Sequence, residues 1–482
     1  MKKVFLFTSL MFAAISSQAQ WGPVVRLTND PDSSITSFGM SWCIASSGDF
    51  VHVVWYDNRD GNWEIYYKRS TDGGITWEPD QRLTNDSAYS GSPSIAVSGN
   101  EVHVVWRDNR DGNWEIYYKR STDGGLSWFA DERLTYEYVY ASEPSITVSG
   151  LILHVVWLYY LNGEMKVYYK RSTDGGLTWE PDVQLTNYVS SYNPSIAVSG
   201  TNVHVVWNDS RDGNLEIYYK RSTDGGVTWE ADTRLTDAIL TSSLPSIAVY
   251  GSNVHIVWAD SRGGGSPEIY YKRSIDGGIT WEAEIQLTDE PGYSQFPNLS
   301  LSGTVVHVVW EEYRNDYYNI YYKRSKDGGL SWEADTILTK YDNLAAHHSS
   351  VAVSGPVVHV VWYEYIDGNY EIFYTRNPSG GSTVGTDNEL VANPDKNIII
   401  YPNPASTVIQ IKFINDFSQP AGNKVENYQF SVRNILGEEL LSNQIQNGES
   451  IIDVTGLQNG LYFVGITTNN KKSLNAKLII QK

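Results

Sequence analysis

Seven histidines recur in one setting: His52, His103, His154, His204, His255, His307 and His359 each sit in a "VHVVW"-type run, 50 to 52 residues apart. Imidazole can ligate a metal or move a proton, but either task needs groups that converge on one point. One histidine per repeat holds them apart, so the chemistry expected of each is an internal hydrogen bond. Six carboxylates recur as strictly. Asp72, Asp123, Asp174, Asp224, Asp276 and Asp327 each stand in an "S-x-D-G-G-x-[S/T]-W" run. There the Asp can accept turn N–H groups, and glycine supplies the positive φ of a tight turn, which makes the six structural. A third set is Arg59, Arg110, Arg211, Arg262 and Arg314, in loops such as "WYDNRDGNWE" and "WNDSRDGNLE". A guanidinium binds carboxylates bidentately, either a neighbouring Asp (Asp57 for Arg59, Asp108 for Arg110) or that of an acidic ligand. These loops carry arginine where a calcium loop needs an oxygen ligand, so no metal and no cofactor is expected.

The elements that hold these residues are short strands. One unit reads "PSIAVSG", "EVHVVW", "WEIYYKRS", the "DGG" turn and "WFADERLT". Each piece is a β-rich run bounded by Gly, Pro, Asn, Asp or Ser, giving four strands, A to D, per unit. Runs A and B are apolar on both faces, as sheets stacked between sheets require. Four strands at this period predict a β-propeller blade. The histidine series has seven members and the "DGG…W" series six. After His359 the chain writes A, B and C ("YEIFYTR") but no D, whereas "WGPVVRLT" from Trp21 matches the spacing of "WEPDQRLT". The N-terminal strand is thus expected to complete the seventh blade and close the ring, leaving no free edge. The fold class is all-β: a seven-bladed propeller over residues 20–376, followed by a small antiparallel sandwich.

Composition agrees. Of 482 residues, 17 are Trp and 34 Tyr, as pleated, half-buried surfaces favour. The formal net charge of −20 argues for solubility and against a nucleic-acid partner, which needs a basic footprint. Residues 1–19 ("MKKVFLFTSLMFAAISSQA") read as a secretory signal peptide, and no later run is long enough for a transmembrane helix. Cys43 is the only cysteine, so packing and not disulfides must hold the fold. Residues 377–394 are Gly/Ser/Pro/Asn-rich and read as a linker. Residues 395–482 change grammar to alternating strands with "NG" and "LG" turns.

Chemistry needs unlike groups at one place, and hence a repeat position that varies. The residue at the mouth of strand A does so: Ser41, Ser92, Glu143, Asn193, Leu244, Phe296 and His348. His347 stands beside it, and the preceding loops add Tyr89, Tyr138, Tyr140, Tyr188, Tyr192 and Tyr293. Strand A is innermost in a propeller, so these side chains should rim the channel. One acid, imidazoles and aromatic platforms suit sugar binding, although drift of surface loops would give the same variety. The candidate ligand-binding residues are therefore Glu143, Asn193, Phe296, His347 and His348, with the five loop arginines. No catalytic residue is assigned.

Two resemblances follow from these motifs. The "S-x-D-G-G-x-[S/T]-W" runs resemble the Asp-box (BNR repeat) of sialidases and related propellers. That resemblance implies that the boxes lie opposite the substrate face and that an arginine triad could gather there. The chain departs from the sialidase pattern. No "(F/Y)RIP" motif is present, Arg26 belongs to the repeated "RLT", and no Tyr–Glu nucleophile pair stands out, although Glu311, Glu312 and Tyr313 lie together. Sialidases of that family have six blades, not seven. "YPNPAS", "NGLYFV" and a lysine-ended last strand resemble the type A C-terminal sorting domain of type IX secretion. That implies export to the outer surface, or beyond it, of a Gram-negative bacterium, with the secretion machinery as a partner. The function expected is binding of a glycan or other extracellular polymer at the channel mouth. The alternatives are a sialidase-like exo-glycoside hydrolase and a structural or adhesion protein.

Overall fold

The computed structural model describes residues 21–37, 42–136, 139–187, 190–289, 292–314, 316–339 and 345–380. Toward the C-terminus it describes 398–401, 408–413, 427–434, 438–446, 449–454, 456–458, 460–468 and 473–480. The leader expected at 1–19, residues 381–394 of the expected linker, Ser41, Tyr138 and Tyr188 lie outside the described residues. The chain divides into two compact units, Met1–Ser382 and Thr383–Lys482. Every regular element among the described residues is a β-strand.

Among the described residues the first unit holds seven antiparallel sheets. The second is typical: Ser90–Ser98 (A), Glu101–Asp108 (B), Glu115–Ser121 (C) and Glu132–Arg133 (D) hydrogen-bond in that order. Strand B is apolar on both faces because a sheet lies on each side of it. Trp55, Trp106, Trp157, Trp207, Trp258, Trp310 and Trp362 in that strand have no exposed surface. The A strands neighbour one another in chain order, and the last, Ala346–Ser354, lies against Ile44–Ser47 of the first sheet. The ring is therefore closed. Val25–Arg26 pairs antiparallel with Asn369–Asn377 as the outermost strand of the last sheet, with Val25 opposite Tyr374 and Arg26 opposite Phe373.

Each box turn binds its own carboxylate. Asp72 Oδ1 accepts the N–H groups of Ile75 and Thr76 at 3.0 and 2.8 Å, and Oδ2 accepts the Thr76 hydroxyl at 2.6 Å. The Thr76 hydrogen bonds hold this carboxyl down at about 2. Between blades, the Tyr67 hydroxyl lies 1.9 Å from where a Cβ on Gly125 of the next box would stand. The same hydroxyl meets His52 Nδ1 at 2.6 Å, Arg69 donates to the Gly124 carbonyl at 2.6 Å, and the Trp128 ring packs edge-on against Tyr67 at 4.9 Å. This lock repeats at Gly74/Tyr374, Gly176/Tyr118, Gly226/Tyr169, Gly278/Tyr219 and Gly329/Tyr271. The seventh seam has no box. There Trp21 packs edge-on against Tyr322 at 4.8 Å and Arg324 donates to the Gly380 carbonyl at 2.7 Å. Residues 377–380 open the Gly/Ser-rich stretch, yet their turn does the work of the missing box.

Among its described residues the second unit has two antiparallel sheets. One joins Ile398–Tyr401, Val408–Phe413 and Glu449–Asp453. The other orders Glu439–Gln446, Asn427–Arg433, Gly460–Thr468 and Ser473–Ile480. Phe430, Val432, Val454 and Val464 are buried within it.

Two glycines with similar backbone angles separate the steric from the conformational demand. Gly125 (φ 82°) faces Tyr67, whereas a Cβ on Gly99 (φ 59°) would meet nothing within 4 Å. Gly99→Ala is expected to destabilise by about 1–2 kcal/mol, the strain of a left-handed non-glycine residue. Gly125→Ala is expected to add overpacking of about 1–3 kcal/mol to that. Equilibrium urea unfolding of the two variants reads the difference, and equal losses would remove the tyrosine notch as its cause.

Candidate functional site

Antiparallel connections put the A–B and C–D turns, with their boxes, at one end of the ring and the B–C and D–A loops at the other. The variable strand-A position opens onto that second end. In six sheets the A–B ladder skips a step there, for example between Ser142 and Ser145, opposite Leu158 and Val156. The residue at the skip is left-handed in every one: Ser92, Glu143, Asn193, Leu244, Phe296 and His348 have φ between 47° and 56°. A bulge of this kind re-aims a side chain, and non-glycine residues adopt it at a cost of order 1–2 kcal/mol each.

The residue before each bulge pairs directly with a strand-B residue that also varies: Gly91 with Arg107, Tyr192 with Asn208, Gln295 with Glu311, and His347 with Tyr363. Sequence reasoning passed over this second position, which reads Tyr56, Arg107, Leu158, Asn208, Ala259, Glu311 and Tyr363. The available signal was a varying residue directly after the invariant strand-B Trp.

Two groups form at the mouth. In the first, Glu143 Oε2 accepts the Asn193 N–H at 3.0 Å and its side-chain amide at 3.4 Å. Oε1 has no protein partner among the described residues. Burial pushes this carboxyl up, against the Asn193 N–H and the charge of Arg107. Glu143 lines an open cavity of about 520 Å³ with Tyr192, Asn193, Asn208, Ser210, Leu215, Ser243 and Leu244. That volume lies in the ~300–1,000 Å³ range of small-molecule sites. In the second group, Glu311, 1% exposed, accepts Gln295 Nε2 at 2.8 Å and the His348 N–H at 3.1 Å, with His347 Nδ1 at 3.3 Å. The Phe296 ring lies 4.1 Å from that of His348, and Tyr318 and Tyr363 flank His347 at 4.9 and 5.5 Å. Burial holds His348 below the ordinary imidazole value.

A ribbon of half-buried rings, Trp63, Tyr89, Trp114 and Tyr140, crosses the first three blades with centroids 5.1 to 6.1 Å apart. The Arg107 guanidinium lies 4.8 Å from the Trp114 ring centroid and donates to the Tyr140 hydroxyl at 2.9 Å. At the rim, Tyr160, Tyr293 and Tyr365 are 49%, 49% and 45% exposed.

The structure thus brings Glu143 to Asn193, and Phe296 to His347 and His348. It does not gather the five loop arginines. Arg59 binds Asp57, Asp80 and Asp30; Arg110 binds Asp108, Asp131 and Asp86; Arg211 binds Asp209 and Asp232. Arg262 binds Asp260 and Glu284, and Arg314 binds Glu312. Each stacks over its blade's strand-C tyrosine, Arg59 over Tyr66 at 4.4 Å. The strand-B histidines stay apart, each on its own tyrosine, with burial pushing His52 down to about 3. Among the described residues no three His, Cys, Asp or Glu side chains gather to hold a metal ion.

A model of the BNR repeat-like domain matches residues 7–256, and one of the secretion system C-terminal sorting domain matches residues 399–481. Xyloglucanase Xgh74A of Acetivibrio thermocellus is 30% identical over 134 residues, 23% of this chain and 15% of that protein. The chain therefore spans well under a fifth of that relative. The crystal structure of polysaccharide lyase Uly1 superposes with a TM-score of 0.50 at 10% identity, over 74% of this chain and 99% of that one. Trypanosoma rangeli sialidase does so with a TM-score of 0.45 at 12% identity, over 94% and 88%. Among the described residues no helix is long and apolar enough to cross a membrane.

Two outcomes follow from this geometry. Ser92 is small and 3% exposed, so Ser92→Gly should relieve left-handed strain and stabilise by about 0.5–1 kcal/mol in urea unfolding. A loss instead would mean that the hydroxyl holds the bulge. Asp30 beside Arg59 is 13% exposed, and its carboxyl is pushed up to about 6, by burial first and Asp57 second. Its folded value lies above the unfolded value near 3.9, so the native state holds the extra proton. The stability it contributes is full below about pH 4 and lost as pH rises through 6. Asp30→Asn should therefore raise stability at pH 7.5, by at most about 3 kcal/mol, with the gain vanishing near pH 4. A gain independent of pH would contradict the raised value.

Proposed function

Since this chain belongs to the BNR repeat-like domain family, we propose that it is a secreted or cell-surface propeller that binds a glycan or another extracellular polymer at the channel mouth. The C-terminal sorting domain addresses it by type IX secretion to the outer surface, or the exterior, of a Gram-negative bacterium. The observation that carries the binding reading is Glu143 Oε1, unpartnered among the described residues, in a cavity also lined by Asn193, Asn208, Tyr192 and two leucines. Carboxylate and carboxamide groups orient sugar hydroxyls, while apolar and aromatic surfaces receive the C–H faces of the rings. The xyloglucanase and the polysaccharide lyase act on polysaccharides by their names, which agrees in kind.

A sialidase-like hydrolase needs arginines free to hold a substrate carboxylate, with an acid and a nucleophile nearby. Each loop arginine is instead neutralised within one to three ion pairs of its own, which favours binding without turnover.

Retention of the full chain on a polysaccharide array, together with hydrolysis of fluorogenic glycosides including α-sialosides, tests the reading. The expected result is retention without turnover, weakened about tenfold or more by Tyr192→Ala and by Trp114→Ala, since stacking rings carry much of such affinity. Turnover abolished by Arg→Ala changes in the B–C loops would establish the hydrolase instead. Silence in both assays would leave an adhesion or structural protein.

A further inference from the structure

Anionic glycans need donors that are not already neutralised. On the mouth face the loop arginines are closed by carboxylates, and the strand-D arginines are too. Arg26, Arg82, Arg133 and Arg234 hold Glu371, Glu64, Glu115 and Glu216, whose side chains are fully buried. Among the described residues Arg107 has no carboxylate partner in an ion pair. It is held by the Tyr140 hydroxyl and the faces of Trp114 and Tyr89, and its charge acts on Glu143.

Resting on the binding reading above, we propose that the ligand of this mouth is a neutral, hydroxyl-rich polysaccharide and that acidic glycans are turned away. The cavity supplies what a neutral pyranose chain uses. Glu143 Oε1 accepts a hydroxyl, the side chains of Asn208 and Asn193 offer amide groups, and Leu215 and Leu244 meet C–H faces. The ring ribbon from Trp63 to Tyr140 offers further stacking surface outside it. A ligand carboxylate placed about 4 Å from Glu143 would be repelled by about 1 kcal/mol in bulk water and about 4 kcal/mol at the dielectric of a protein surface. The chain's net charge of −20 adds long-range repulsion at low salt. A polycation gains little in return, because Glu143 is a single carboxylate already bridged to Asn193, and Glu311 is closed by Gln295, His347 and the His348 N–H.

The test is affinity electrophoresis of the full chain through gels carrying neutral polymers (xyloglucan, galactan, mannan), acidic ones (polygalacturonate, alginate) and chitosan. It continues with a carboxymethylated form of whichever neutral polymer retards the chain. Retardation is expected only by neutral polymers. Carboxymethylation should weaken it about tenfold or more at low salt, and Glu143→Gln should recover about threefold of that loss. Preference for an acidic polymer or for chitosan, or indifference to carboxymethylation at low salt, would overturn the charge class while leaving the binding reading intact. Retardation by none would sink the binding reading, and this inference with it.

Discussion

The ring depends on one contact made again at six of its seven seams: a tyrosine hydroxyl of one blade set into the notch that the second glycine of the next box leaves open. With a Cβ at Gly125 only 1.9 Å from that oxygen, no other residue fits without displacement. The hydroxyl is buried but not orphaned, because His52 meets it from behind at 2.6 Å. A buried phenol without a partner would cost on the order of 1–3 kcal/mol, so the histidine belongs to the lock rather than to any catalytic set. Burial raises the tyrosine and lowers the histidine, leaving both neutral in the interior. Closure then needs a substitute at the seventh seam, and the N-terminal Trp21 and the Gly380 carbonyl supply it from opposite ends of the unit. The two ends are therefore held by two of the contacts that unite neighbouring blades, the Trp–Tyr edge packing and the Arg-to-carbonyl bond, without the glycine notch.

Most of this was legible in the sequence, because repetition itself is a measurement. The period, the four strands, the missing seventh box and the return of Trp21 all follow from spacing alone. The tyrosine notch did not. A glycine explained by its positive φ seems fully explained, and only the neighbouring blade shows that the same glycine is required twice over. The arginines were half legible. Asp57 and Asp108 stand two residues before them, but their second partners, Asp80 and Asp131, lie 21 residues on at the start of strand D and become neighbours only once the sheet forms.

The mouth was legible at one position and not at the other. The residue before "PS" varies visibly, yet nothing in its type announces that it is left-handed, since Leu244 and Phe296 are poor formers of that conformation. The strand-B position after the Trp was missed because in one sequence a variable residue inside a strand looks like core drift. The pairing of Gln295 with Glu311 and of His347 with Tyr363 shows instead that both positions open onto the same surface.

The bulge matters to the argument for function because glycine would be the easier residue in all six places. A strain of order 1–2 kcal/mol repeated six times is large beside the 5–15 kcal/mol net stability of an ordinary domain. A ring joined by six like seams and a seventh that substitutes for them can tolerate it. Part of what the side chains return is structural: Glu143, Asn208 and Glu311 each accept the N–H of the next blade's left-handed residue. That bracing accounts for one oxygen of Glu143 and both of Glu311. It does not account for Glu143 Oε1, for Leu244 or for the open cavity they share. Strain kept at residues that differ from blade to blade, inside a frame that otherwise repeats, is the pattern expected of a site written onto a symmetric scaffold.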